Sequence, residues 1–273
     1  MPTAGPAADV AVAFRDVTRR FTTPDGRAYT AVAGLTLAVG TGQFVSIVGP
    51  TGCGKSTLLN LAAGLLAPDD GAVEVFGRPL SGLNRHATYL FQQDVLLPWK
   101  SAEDNVMLGP LFRGTAPAEA RERARSLLAR VGLAGFERHY PHQLSGGMRK
   151  RVALAQNLIV NPEILLMDEP FAALDVQTRQ IMENDLLRLW AEFRKTVLFV
   201  THDLDEAIAL ADRVVVLSSG PGSRVIGDYP VDLARPRDVA EIRLDRAFIE
   251  IYGTIWHHLH GEVRKAYAAA RMV

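Results

Sequence analysis

FVSIVGPTGCGKSTLLNLAAGLL, Phe44 to Leu66, is the stretch on which the fold turns. Phe44 to Val48 is a short run without charge, the form of a strand buried on both faces. Gly49-Pro50-Thr51-Gly52-Cys53-Gly54-Lys55-Ser56 then follows the spacing Gly-x4-Gly-Lys-Ser/Thr. Lys55 to Leu66 predicts a helix. A strand, a glycine-rich turn and a helix in that order make a phosphate cradle. Glycines let the backbone come close, its N–H groups and the helix N-terminus supply partial positive charge, and Lys55 adds a full charge. Gly49 through Thr57 are therefore expected to surround phosphate groups, with Ser56 placed to ligate Mg²⁺. A glycine-rich turn without a ligand is the plainer alternative, and the context on both sides weighs against it. Cys53 reads as a tolerated small residue in the loop rather than a redox switch.

The composition bounds what can be built around that loop. The 273 residues suit one domain with insertions, and 48% hydrophobic with 22% charged residues excludes wholesale disorder. Lys+Arg 30 balances Asp+Glu 30, so no global basic field is available for nucleic acid or an anionic membrane. The opening MPTAGPAADVAVAF lacks the form of a secretion signal. Uncharged runs such as Leu58 to Pro68 fall short of the ~18 to 20 residues a membrane span needs. Cys53 is the single cysteine, which excludes an internal disulfide and a cysteine zinc site and is compatible with a reducing cytoplasm.

Short apolar runs alternate with helical patterns, as in a parallel sheet covered by helices. Ile164 to Met167 and Val197 to Val200 predict two more buried strands. The stretch before Thr41 and the segment Ala72 to Phe76 alternate, with turns at Pro24-Asp25-Gly26 and Asp69-Asp70-Gly71, so an antiparallel side sheet is expected. From Pro98 to Gln143 the pattern is helical, including Pro117 to Val131 with Leu127, Leu128 and Val131 on its apolar side. After Pro236, Phe248, Tyr252, Ile255, Leu259 and Val263 recur at helical spacing and predict a terminal amphipathic helix.

Strand 164–167 ends in Asp168 and Glu169. Beside a phosphate cradle, Asp168 suits the Mg²⁺ shell and Glu169 suits polarising a water in line with a γ-phosphate. Between the two sites lies Leu144-Ser145-Gly146-Gly147-Met148. A hydroxyl, glycine N–H groups and a helix N-terminus suit a second phosphate clamp of Ser145, Gly146 and Gly147, the plainer alternative being a turn with a helix cap.

This segment resembles the LSGGQ signature of ATP-binding cassette (ABC) proteins, with Met in the last place, and it keeps that signature's position before the acidic strand. The resemblance covers about Val12 to Arg237. It implies an α/β fold, a P-loop RecA-like core with an antiparallel β side sheet and an inserted helical subdomain. The ATPase domain would be 12–237, with the insert at about 98–160 and a helical extension at 238–273. It implies ATP and Mg²⁺ as cofactors and ATP hydrolysis as the activity. Gln92 matches the glutamine that touches metal and attacking water, and His202 the histidine that contacts the γ-phosphate. Glu169, His202 and Gln92 form the implied catalytic set, and Ser56, Gln92 and Asp168 the metal set. Ala173-Leu174-Asp175 resembles the D-loop. Phe21 is the match for the aromatic that stacks on adenine, with Tyr29 as the alternative.

PFAALDVQTR, RKTVLFVTHDLDEAIALADRVVVLS, DLARPRD and Leu96-Leu97-Pro98-Trp99 look like the nitrate/sulfonate/taurine branch of bacterial importer ATPases. That likeness implies a transmembrane permease, a homodimer or a second ATPase subunit, and indirectly a periplasmic-type substrate-binding protein. The setting implied is peripheral, at the cytoplasmic face of the inner membrane, without nucleic acid. Leu96, Leu97 and Trp99 are expected to form an apolar notch for a permease helix. The alternative is a non-transport ABC ATPase acting on nucleic acid or translation, which would call for a second cassette, coiled-coil arms or a basic face. A small-molecule P-loop kinase leaves LSGGM and His202 unexplained. Trp256-His257-His258-Leu259-His260 reads as solvated or partner-facing rather than metal-binding. The run Arg121 to Arg130 reads as a solvated helix face.

Overall fold

Phe44–Val48 (β3) lies inside a six-stranded sheet in the computed structural model, which describes residues 9–24 and 26–270, the last five by backbone alone. The signal reading of residues 1–8 and the Asp25 position of the first turn lie outside the described residues. Strand alternation explains why β3 must be apolar throughout. Phe44 and Val48 join the core on one face of the sheet, and Val45 and Ile47 join the core on the other.

The strands are β1 Val10–Thr22, β2 Ala28–Gly40, β3, β4 Asp70–Val75, β5 Arg78–Pro79, β6 Ala87–Leu90, β7 Ile164–Asp168, β8 Thr196–Val200, β9 Arg213–Leu217 and β10 Val225–Pro230. The core sheet has the order β10-β9-β3-β8-β7-β6, parallel except for β10 at one edge. The expected side sheet is present and antiparallel, in the order β2-β1-β4-β5. Helix α1, Lys55–Ala63, buries Leu58, Leu59, Leu61 and Ala62 in the core that the two sheets share. On the opposite face Phe44 meets Trp190 edge-on at 5.9 Å, within a core that continues into the helices.

Helices α2 Ala102–Phe112, α3 Pro117–Arg130 and α4 Gly146–Leu158 make the insert between β6 and β7. Leu127, Leu128 and Val131 are buried there. Helices α5 Val176–Phe193 and α6 Leu204–Leu210 follow β7 and β8, and α7 Val239–Ile242 precedes α8, Arg246–Ala270. Phe248, Ile255 and Leu259 of α8 are buried, while Tyr252 and Val263 pack partly buried against the same core. Among the described residues no helix is long and apolar enough to cross a membrane.

Several expectations need correction. The first helix ends at Ala63 rather than Leu66, because Gly64 takes a left-handed cap and its N–H bonds back to Asn60 O and Leu61 O. The turn expected at Asp69-Asp70-Gly71 instead opens β4. Asp70 pairs with Thr18, and the Asp69 carboxylate is held by Arg19 and by the Arg20 N–H. The arginine run of α3 is not only solvated. Arg121 and Arg125 grip the two oxygens of buried Glu103 at 2.6 and 2.9 Å, since a buried carboxylate must be paired. Leu96 faces the core and cannot line a surface notch, whereas Val95 and Trp99 are exposed, Trp99 by 71%.

Candidate nucleotide-binding and hydrolysis site

The loop leaving β3 wraps tightly before α1. At Gly54 φ is +92°, and an added Cβ would stand 2.9 Å from Val32 Cγ1 and 3.2 Å from Ala31 O. Glycine is therefore required on both conformational and steric grounds. Lys55, 6% exposed, donates from Nζ to Gly49 O at 2.8 Å and Pro50 O at 3.1 Å, which holds its charge inside the loop's curve. Cys53 is fully buried, and burial pushes its thiol up.

Three neighbouring strands deliver the polar groups, as parallel sheets do at their carboxyl ends. Gln92 follows β6, Glu169 follows β7 and His202 follows β8, and these strands are adjacent in the sheet. Glu169 Oε2 lies 3.1 Å from His202 Nδ1 and 3.4 Å from Gln92 Nε2. Its backbone takes φ +43°, in the left-handed region, with its N–H bonded to Val200 O at 2.9 Å. A regular strand would turn successive side chains to opposite faces. The left-handed step lets Asp168 and Glu169 serve one site. A carboxylate so placed can accept a proton from a water.

Asp168 Oδ1 accepts from Ser56 Oγ at 3.0 Å and Oδ2 from Tyr89 OH at 3.2 Å. Burial raises its carboxyl, and the two hydrogen bonds oppose that rise. Ser56 and Asp168 thus offer adjacent hard oxygen donors, the set Mg²⁺ takes from a protein when phosphates and waters complete its shell. A cavity of about 290 Å³ opens over these groups, lined by Phe21, Tyr29, Thr51, Lys55, Thr57 and Glu169 among others. Phe21 and Tyr29 face each other across β1 and β2. Tyr29 OH donates to Gly52 O at 3.1 Å, while the Arg19 guanidinium lies 5.0 Å from the Phe21 ring.

Ser145, Gly146 and Gly147 do not line that cavity. They form the N-terminus of α4, where Ser145 Oγ accepts from Met148 N at 3.3 Å. Asp175 caps α5 through Thr178 N at 3.0 Å. His258 of the C-terminal histidine cluster shares a hydrogen bond with Tyr229 OH.

Two features went unread in the sequence. Tyr89 is one, for which the only available signal was an aromatic with a polar tip just before Gln92. The other is Lys150, 4% exposed, which donates to Gln92 O at 2.6 Å and pairs with Asp94 at 2.9 Å. A lysine within the apolar face of α4 was a signal for such a partner. Together with Arg149, 3.2 Å from Asp94, it ties the residues after β6 to the insert.

The parallel sheet, the glycine-rich loop and the acidic strand end define a P-loop nucleoside triphosphatase. The pattern described as "ABC transporter" matches residues 32–172. An ABC transporter ATP-binding protein of Methanocaldococcus jannaschii is 45% identical over 242 residues, 89% of each chain. The taurine import ATP-binding protein TauB of Jannaschia sp. is 38% identical, over 90% of this chain and 94% of that one. The bicarbonate transport ATP-binding protein CmpD of Synechocystis sp. is also 38% identical, over 92% and 90%. The dimeric structure of MJ0796, a bacterial ABC transporter cassette, superposes with TM-score 0.72 at 33% identity, covering 82% of this chain and all of that one. The same cassette in a post-hydrolysis state bound to ADP and Pi gives 0.71. This chain belongs to the ABC transporter family, as an ATP-binding subunit with ATPase activity.

Proposed function

We propose that the chain powers an importer of the nitrate/sulfonate/taurine kind, working as one of a pair of ATPases beneath a separate permease. The observation that carries the catalytic part is the Glu169 carboxylate held between His202 and Gln92 over the cavity of the phosphate loop. In this reading Glu169 is the general base, and His202 and Gln92 orient water and γ-phosphate. Gly49 to Thr57 hold the phosphates, and Phe21, whose ring lines the same cavity, stacks on the base. Mg²⁺, when bound, neutralises charge on the β- and γ-phosphates, and Ser56, Asp168 and Gln92 would hold it.

Ser145 to Gly147 lie away from their own chain's cavity, which suits a role in the partner's site. The kinship to importer ATPases that carry taurine or bicarbonate in their names supports the solute class. The absence of a net charge on the chain gives no support to a nucleic-acid role. A peripheral position on the cytoplasmic membrane face, with a substrate-binding protein outside, follows from the same reading.

Glu169→Gln keeps the shape and removes the proton acceptor, so turnover should fall about 10²- to 10⁴-fold while nucleotide affinity holds. An ATP-bound dimer should accumulate, visible by size-exclusion chromatography with ATP and Mg²⁺. Parent-rate hydrolysis by this variant would remove Glu169 from the role. Exposed Trp99, beside the tied segment at Asp94, is assigned to the permease. Trp99→Ala should lower co-purification with the permease several-fold and leave ATP binding by the isolated chain unchanged, and equal co-purification would exclude the notch.

A further inference from the structure

The turn between β9 and β10, Ser218-Ser219-Gly220-Pro221-Gly222-Ser223-Arg224, has no part in the site as drawn so far. It nevertheless packs behind the phosphate loop. A Cβ added to Gly220 would lie 3.5 Å from Gly52 O and 3.9 Å from Cys53 Cα. Fully buried Ser223 sets its hydroxyl against Cys53 O, and its backbone bridges to Val32 of the side sheet. Gly222 N–H donates to Thr30 O at 2.6 Å.

The other anchor of the turn comes from the far end of the chain. Glu262 of α8, 7% exposed, accepts through Oε2 from Ser219 N at 2.8 Å and from Ser219 Oγ at 3.0 Å. Its second oxygen is held by Lys265.

A phosphate loop works by pointing N–H groups at the anion. Each peptide is planar and trans, so its N–H and C=O point in opposite directions. Holding the Cys53 carbonyl outward therefore aims the Gly54 N–H inward, and Ser223 is the group that holds that carbonyl.

We infer that Glu262 is a positioning residue for the nucleotide: through Ser219 it fixes the 218–224 turn, and the turn fixes the Cys53–Gly54 peptide of the phosphate loop. The docking of α8 thereby sets nucleotide affinity. This rests on reading Gly49 to Thr57 as the nucleotide site. The chain carries its own reporter, because Cys53 is the sole cysteine and is covered on this side by the turn.

The test uses the full chain with ADP and Mg²⁺ as ligand, a thiol reagent for Cys53, and thermal melting without nucleotide. Glu262→Ala should weaken ADP binding about fivefold or more, the low end of site-to-site coupling, and speed Cys53 labelling by a similar factor. Glu262→Gln retains the accepting oxygen and should stay within about twofold of the parent. Ser219→Ala should act in the same direction by about two- to threefold and add nothing to Glu262→Ala, as expected for one shared contact. Lys55→Ala serves as the control for the site itself. If Glu262→Ala and Ser219→Ala both bind ADP and label like the parent while Lys55→Ala has lost binding, the inference is overturned. If Lys55→Ala binds normally, the nucleotide lies elsewhere and the underlying reading falls instead. Should Glu262→Ala melt below the assay temperature, Ser219→Ala decides: unchanged affinity and labelling overturn the inference.

Discussion

Tyr89 holds Asp168 by one carboxylate oxygen and Ser56 holds it by the other. A carboxylate fixed at both oxygens cannot rotate away from a bound cation. Tyr89→Phe keeps the ring stacked on Phe91, 4.2 Å away, and removes only the hydroxyl. The Mg²⁺ concentration needed for half-maximal ADP binding should rise about tenfold, the equivalent of one hydrogen bond to a charged group at ~1.5 kcal/mol. A fluorescence titration of Mg²⁺ at fixed ADP measures it, and an unchanged midpoint would remove Tyr89 from the metal side of the site. Glu169, Gln92 and His202 could be picked out in the sequence because each sits in a contiguous motif. Tyr89 could not, since its partner is 79 residues away and an aromatic with a polar tip does not by itself say which carboxylate it meets.

At the scale of elements, the segment between β10 and α7 looks like loop and behaves as a clamp. Arg237, 8% exposed, donates to Ile208 O, Ala209 O and Ala211 O with one nitrogen and to Val231 O and Leu233 O with the other. It satisfies the carbonyls that the C-terminus of α6 leaves unpaired. Burial lowers its guanidinium to about 10, still charged at neutral pH. Arg235 reinforces the clamp, bonded to Asp212 and Leu210 O and lying 4.2 Å over Trp190. Arg237→Ala should cost about 3 kcal/mol, because buried carbonyls lose a charged donor. Arg237→Lys should rescue little, since a point charge cannot reach both carbonyl groups. Denaturant unfolding of the three proteins checks this. The DLARPRD run was legible only as a likeness to an importer branch; its mechanics depend on where α6 ends. The overrun of α1 to Leu66 has a similar origin. Leu65 and Leu66 continue the apolar pattern, and it is the left-handed cap at Gly64, packed against Gly82, that stops the helix. The strand–loop–helix order and both sheets were legible because short-range alternation and punctuation determine them.

For the whole molecule, two buried acids, Glu206 and Glu183, should tilt stability against pH. Burial raises Glu206 to about 8 and Glu183 to about 7, from an ordinary value near 4.5. Thr201 donates its hydroxyl to Glu206, and Arg243 stands 3.6 Å from Glu183. The unfolded chain sheds these protons near pH 4.5, whereas the folded chain keeps them until pH 7 to 8. The folded state therefore binds more protons in between, and stability should fall as pH rises from about 5 to 8. Glu206→Gln, neutral at every pH and still able to accept from Thr201, should flatten that fall by on the order of 1 kcal/mol. Urea midpoints at pH 5 and pH 8 decide it, and a parent whose stability climbs over this range would contradict the burial argument. A second property of the whole sheet follows from its strand order. The β6 strand is the edge opposite β10, paired only with β7, and it is the strand that brings Tyr89 to Asp168 and Gln92 to Glu169. Both acids thus lean on the part of the sheet with hydrogen bonds on one side alone. In the language of amide exchange, the candidate chemistry is hinged to an edge strand, which should exchange faster than β3, the interior strand from which the phosphate loop hangs. A pull on the insert should reach Glu169 through Gln92 first, and the phosphate loop only through the Asp168–Ser56 hydrogen bond.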